Sequence, residues 1–248
     1  MPPDSEWQTA SLTQTYLSGV RGAIPCAEKQ IEVLLHIVSA WVPHPPVVID
    51  LGCGDGILGR AVMERSPEAR VWFVDFSAPM LAAARERVGA DPRATFARAD
   101  FGSSDWSAAL GDVRPDVVVS GFAIHHQEDA RKRALYREVY DLLADGGVFL
   151  NLEHVASPTA AVGALFDAHF VDHLVAFHAR SGVPKSREEV TRGYYARPDK
   201  AENRLAPVEA QCAWLREIGF CDVDCFFKTF ELALLGGRKA AADGASPR

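Results

Sequence analysis

No two of the five cysteines are spaced as C-x-x-C, and their number is odd. Cys26, Cys53, Cys212, Cys221 and Cys225 therefore do not read as a disulfide framework or a zinc site. Reduced thiols and a cytoplasmic location are expected. The opening MPPDSEWQTA has no basic stretch leading into an apolar core, so no secretory signal is expected. No apolar run reads as long enough to span a bilayer. Basic residues are in deficit: 26 Lys and Arg stand against 33 Asp and Glu, a net charge of -7. A chain of that sign is not built to coat nucleic acid, which leaves room only for a local basic patch. There is no internal repeat. With 48% hydrophobic and 24% charged residues over 248 positions, the composition is that of one large globular domain, or one domain with a cap.

What the chain does contain is a regular alternation of apolar strands and helices. Pro25 fits the first turn of a helix in which Ile31, Leu34, Leu35 and Val38 share a face, and PHPP at 43–46 stops it. VVIDL (47–51) predicts a short buried strand, 57–66 a helix and VWFVD (71–75) a second strand. A helix follows at 77–88, with Ser77 as its N-cap and Pro79 in its first turn. Strands are expected at 94–100, 116–122 and 147–153, and an amphipathic helix at 129–144 ends at Gly146 and Gly147. Such alternation implies a parallel sheet covered on both faces. The stretch 158–196 reads as helical and 207–218 as a further helix. Residues 221–237 read as two strands too close for a helical crossover, hence antiparallel. In the first of them Cys221, Val223, Cys225 and Phe227 are expected on one inward face. The expected organisation is a helical cap at 1–46, a main domain at 47–238 with a helical insertion at 156–206, and a disordered tail at 239–248.

The most informative stretch is VVIDLGCGDGILGR, residues 47–60. Gly54, Gly56 and Gly59 spell G-x-G-x-x-G, the dinucleotide pattern, in which a helix N-terminus faces a pyrophosphate. Asp50, Gly52, Gly54 and Gly56 spell D-x-G-x-G-x-G in the same residues. A carboxylate at Asp50 is unfavourable beside a pyrophosphate and favourable beside a cationic amine and a sulfonium. Asp75 ends the second strand about 20 residues on, where an acid accepts from ribose hydroxyls; both ligand types carry that ribose. Asp100 ends the third strand, placed to accept from an adenine amino group, with Phe76, Met80 and Phe101 around the ring.

VIDLGCGDG, VWFVDFS, ARADF, DVVVSGFAIHH and LLADGGVFLNLE resemble, in order and spacing, the successive motifs of class I S-adenosylmethionine (SAM)-dependent methyltransferases. The resemblance covers roughly 45–155 and implies a Rossmann-like seven-stranded α/β sheet, mostly parallel, with its last strand antiparallel. It implies SAM as cofactor and S-adenosylhomocysteine as product. It places Asp50, Gly52 and Gly54 around the methionine part, Asp75 on the ribose, and Asp100 with Phe101 on the adenine. Tyr16, Arg21, Phe76, Met80 and Ser120 complete the expected cofactor set. A narrower resemblance joins GAIPCAEKQI, AENRLAPVEAQCAWLREIGF and CFFKTFELALLGGRK to the ends of carboxy-S-adenosylmethionine synthases. It implies carboxy-SAM as an alternative cofactor, with Arg197 toward the added carboxylate, although PDKA between Arg197 and Glu202 departs from that pattern.

Methyl transfer from a sulfonium needs the acceptor positioned and, in many cases, a proton removed. Candidate groups follow the fourth and fifth strands: His125 and His126 in GFAIHHQED, Glu153 and His154 in NLEHV. Tyr194 and Tyr195, in the insertion, are further catalytic candidates, and His169, His173 and Arg197 are candidates for acceptor contact. His169 and His173 stand four apart on one helical face, but no third ligand completes a metal site, so no metal is expected. The expected partner is a small-molecule acceptor, not nucleic acid or a membrane, with a homodimer left open. The alternatives are a carboxy-SAM enzyme, a nicotinamide oxidoreductase, and a non-catalytic cofactor-binding subunit.

Overall fold

The computed structural model describes residues 23–197, 200 and 202–241. Tyr16 and Arg21 lie outside the described residues. Seven strands, β1 (Val47–Leu51), β2 (Arg70–Asp75), β3 (Ala94–Arg98), β4 (Val117–Gly121), β5 (Val148–His154), β6 (Cys221–Thr229) and β7 (Leu232–Arg238), form one sheet. Its order is β3-β2-β1-β4-β5-β7-β6. The first five strands pair in parallel. β7 runs antiparallel to both β5 and β6. This is the Rossmann-like α/β sheet the motif order implied.

The helices are α1 (Ala27–Trp41), α2 (Ile57–Arg65), α3 (Ala78–Val88), α4 (Asp129–Leu142), α5 (Ala160–Arg180), α6 (Arg187–Tyr195) and α7 (Val208–Ile218). α1, α2 and α3 cover one face through Leu34, Val38, Leu58, Val62 and Leu81. α4 and α7 cover the other through Leu135, Val139, Cys212 and Leu215. Burial on both faces explains why β1 is a continuous apolar run broken only by Asp50. A third cluster joins α5 and α6 through Phe166, Phe170, Val190 and Tyr194, and docks them on Ile24 and Leu232.

Strand order reverses between β1, whose chain continues to β2 on one side, and β4 on the other. A crevice opens at the carboxyl ends of strands at such a reversal, so this topology locates the site before any side chain is considered.

Local details depart from expectation for identifiable reasons. Pro25 and Cys26 precede α1; Cys26 adopts φ 59 and forms the N-terminal boundary, so the helix starts at Ala27. β6 does not keep its alternation. Register shifts at Cys221/Asp224 and Cys225/Phe227, with Asp222 at φ 51, put Phe226 and Phe227 together against the α1 side. Cys221 and Cys225 are half-buried rather than core. Ser77 does cap α3, its Oγ accepting from the Met80 amide at 3.4 Å. α5 corrects the expectation about apolar runs: its 21 residues include a window of mean hydropathy 1.3, long and apolar enough by composition to cross a membrane. Asp167, His169, Asp172 and His173 interrupt that run, and Phe166, Phe170 and Val171 turn into the third cluster.

Candidate functional site

At the β1/β4 reversal lies a cleft lined by Gly52, Gly54, Asp75, Phe76, Ser77, Met80, Phe101, Gly121, Phe122, Ala123 and His126. The glycine loop forms its floor. The Gly52 and Cys53 amides donate to the Val74 carbonyl at 2.8 and 3.0 Å, which seats the loop on β2. Gly52 has φ +68, and a Cβ there would lie 2.4 Å from the Ala123 Cβ, so only glycine permits this approach of the loop to the β4 end.

Asp75 ends β2 with its carboxylate in the cleft. Oδ2 accepts from the Gly54 amide at 2.9 Å and Oδ1 from the Ser77 amide at 2.8 Å. Burial raises its pKa to about 6, against the opposing pull of these amides. An ionised carboxylate has about four acceptor positions, so both oxygens retain capacity for hydroxyl donors. Among the described residues that line the cleft there is no lysine or arginine, and Asp75 is the only carboxylate. That charge pattern repels a pyrophosphate and suits a cationic, phosphate-free nucleoside such as SAM. Phe76, Met80 and Phe101 offer apolar faces for a planar base.

Asp50 stands elsewhere. It is 1% exposed, and its Oδ2 accepts from the Gly59 amide at 2.8 Å. Gly59 lies in the first turn of α2, whose N-cap Gly56 has no side chain to offer, so a strand residue satisfies a helix-end amide there. Ser120 is also behind the cleft, donating to the Leu51 carbonyl at 2.7 Å and tying β4 to β1. Asp100 accepts from the Gly102 amide at 2.8 Å at the rim, where its turn places Phe101 on the cleft wall.

The two histidines after β4 take different positions. His126 lines the cleft; His125 packs behind it, with ring centroids 4.0 Å apart. Burial and the neighbouring His125 lower the His126 pKa to about 3, and its ring is hydrogen-bonded to the backbone of Glu202. His125 Nδ1 meets Glu153 Oε1 at 2.7 Å. Glu153 also accepts from the His154 amide and from Asn151 Nδ2, at 2.9 and 3.1 Å. Burial raises the Glu153 pKa to about 7 despite Asn151, the His154 amide and the Lys132 cation. Asn151 continues the network to the Tyr136 hydroxyl, which donates to Gln211 Oε1 at 2.6 Å.

The His154 ring stands edge-on to that of His125, with centroids 5.7 Å apart, and its Nε2 lies 2.8 Å from Glu231 Oε2. Tyr194 and Tyr195 both donate to Asp167, at 2.6 and 3.0 Å, and Lys200 Nζ lies 3.4 Å from the Tyr194 ring centroid. Burial and Asp167 hold the Tyr194 hydroxyl well above its ordinary pKa, so it is a donor here and not a base. His169 is exposed beside Phe230, His173 is half-exposed on α5, and Arg197 is exposed. No group of three metal-ligating side chains occurs among the described residues. Sequence reasoning missed Ser77, Gly121, Phe122 and Ala123; the last three follow β4 at the strand reversal, a position the strand order alone would have flagged.

Comparison with known proteins agrees with this geometry. Residues 48–147 match the family profile described as "Methyltransferase domain". The chain is 34% identical over 106 residues to the trans-aconitate 2-methyltransferase of Acidovorax sp. (strain JS42), covering 43% of this chain and 37% of that one. It is 50% identical over 90 residues to ribosomal RNA large subunit methyltransferase G of Streptomyces avermitilis, covering 36% of this chain and 23% of that one. The matched segments thus span well under half the length of these relatives. Among solved structures, human N-acetylserotonin methyltransferase in complex with SAM superposes with TM-score 0.61 at 14% identity, over 95% of this chain and 58% of that one. An O-methyltransferase family 2 protein from Planctomyces limnophilus in complex with apigenin gives TM-score 0.61 at 16% identity, over 96% and 63%. Residues 48–147 thus match a methyltransferase domain, and they are set on this sheet and this glycine loop.

Proposed function

We propose that this chain transfers a methyl group from SAM to a small-molecule acceptor, releasing S-adenosylhomocysteine, with His126 receiving the acceptor's proton. The observation that carries the reading is Asp75, an acidic group in a cleft whose described lining holds no lysine or arginine and includes Phe76, Met80 and Phe101. SAM supplies a methyl group already activated on a sulfonium. The chain's residues are left to bind, orient and take up a proton.

Asp75 would hold the ribose hydroxyls, with the Gly54 and Ser77 amides fixing its carboxylate in place. His126, which lines the same cleft, would accept a hydrogen bond from the acceptor and orient it. Its low pKa keeps the ring neutral at working pH. A weak base suffices for a hydroxyl, because the oxygen becomes strongly acidic as it acquires the methyl group. That favours an oxygen acceptor over an amine. His125 and Glu153 stand behind the ring and hold the turn that carries it. The net charge of -7 and the trans-aconitate enzymes among the relatives favour a small acceptor over ribosomal RNA.

Mass spectrometry of the nucleoside that co-purifies with the protein tests the cofactor. The expected mass is that of SAM or S-adenosylhomocysteine. The mass of carboxy-SAM would instead establish the alternative carried by the terminal resemblance, and a nicotinamide dinucleotide would contradict the proposal.

A further inference from the structure

Lys132 is a buried cation with no part in the reading above. It lies on the second turn of α4 and is 0% exposed. Its ammonium donates to Asp129 Oδ1 at 2.7 Å and to the Arg204 carbonyl. A fully buried lysine is costly unless its charge is matched and its donors are used. The first stays within α4; the second reaches the segment that crosses from the α5–α6 insertion to α7.

That segment is attached to the histidine turn at two further points. The Arg204 amide donates to the His125 carbonyl at 2.8 Å. The Glu202 backbone hydrogen-bonds the His126 ring. Arg204 also reaches Glu128 through its guanidinium at 2.9 Å, on the exposed side. Residues 202–204 therefore lie as a strap across His125 and His126, and Lys132 grips the strap from inside the protein. Asp129, its other partner, is 55% exposed at the side chain, so the ammonium's fixed buried anchor is the strap carbonyl.

We infer that Lys132 is a positioning residue: it fastens the Glu202–Arg204 strap over the histidine turn and so fixes the His126 ring at the cleft wall. This rests on the reading of His126 given above. The groups facing His126 are His125, Glu153 and Glu202; Lys132 faces Glu153 and the strap and acts through them. A ring displaced by even about 1 Å loses on the order of a hundredfold in rate, so fastening of this kind has a kinetic consequence.

The test compares Lys132→Met and Lys132→Arg in the full chain, by amide hydrogen exchange, SAM binding and turnover. Lys132→Met should speed exchange of the Arg204 amide by about tenfold while amides of β4 and β5 keep their protection. It should lower kcat by about tenfold or more and leave SAM affinity within about twofold. Lys132→Arg, which keeps a buried cationic donor, should recover most of both effects. Folded Lys132→Met with wild-type protection at Arg204 would overturn the inference. So would a loss of SAM affinity equal to the loss of kcat, since the damage would then be general. If Lys132→Met does not fold, Lys132→Gln retains a neutral donor and carries the same comparison. Should the wild type transfer no methyl group, the proposed function fails while the exchange measurement still decides the strap.

Discussion

Buried carboxylates at this site are placed by the backbone around them, and each has a different use. Asp75 and Glu153 have raised pKa values, about 6 and about 7, because burial outweighs their hydrogen bonds. The unfolded chain would ionise Glu153 near its ordinary 4.5. Between pH 4.5 and about 7 the folded state therefore binds more protons at this group, and its contribution to stability falls as pH rises. His126 works in the opposite sense: depressed to about 3, it binds fewer protons in the folded state, and its contribution rises with pH through that range. The difference between variants isolates one group. Relative to wild type, Glu153→Gln should gain stability as pH increases from about 5 to about 7.5, read by urea denaturation at each pH. A pH-independent difference would show that Glu153 stays ionised throughout. At this scale the sequence was partly legible. Asp75 is placed by the end of its strand, and the sequence shows that end. Asp50 has the same residue type and a similar position, yet caps α2, because helix-end amides near a glycine N-cap need an acceptor from elsewhere. Nothing in the local pattern separates those two uses.

At the scale of elements, glycine spacing does two jobs that one string merges. Gly52, Gly54 and Gly56 have positive φ and shape the loop. Gly59 does not; it is where α2 rests on the sheet. A Cβ at Gly59 would lie 2.4 Å from Phe73 Cε1 and 2.9 Å from Val71 Cγ1, both side chains buried. Gly59→Ala should therefore cost about 1–3 kcal/mol through overpacking, measured by chemical denaturation, with a much smaller effect on SAM affinity in the folded fraction. Loss of affinity with unchanged stability would make Gly59 a ligand contact instead. The last position of G-x-G-x-x-G thus reports helix–strand packing, which many nucleotide folds share. The helices and strands of 47–154 were readable because their periods are clean. β6 was not, since its bulges break the two-residue repeat and depend on what α1 presents to Phe226 and Phe227. The insertion was legible as helices but not as a site. Tyr194 and Tyr195 turn to Asp167 and Lys200, contacts made across the α5–α6 pair that spacing along the chain does not encode.

For the whole molecule, topology decides where chemistry can occur. The reversal of strand order brings the ends of β1, β2 and β4 around one cleft, and the described carboxylate within it is Asp75. The order of motifs along the chain already implied this sheet, because parallel strands joined by helices admit few arrangements. The cleft wall at Phe122 was not legible to the same degree, since Phe122 meets the α5–α6 cluster only in three dimensions. The central claim is that this cleft binds a cationic nucleoside through Asp75. Calorimetric titration of wild type and Asp75→Ala with SAM tests it most directly. The account predicts saturable one-to-one binding by the wild type with Kd on the order of micromolar. It predicts affinity weakened by about tenfold to a hundredfold in Asp75→Ala, since hydrogen bonds to a charged group are lost. Equal affinity in the two proteins, or no heat of binding with the wild type, would contradict it.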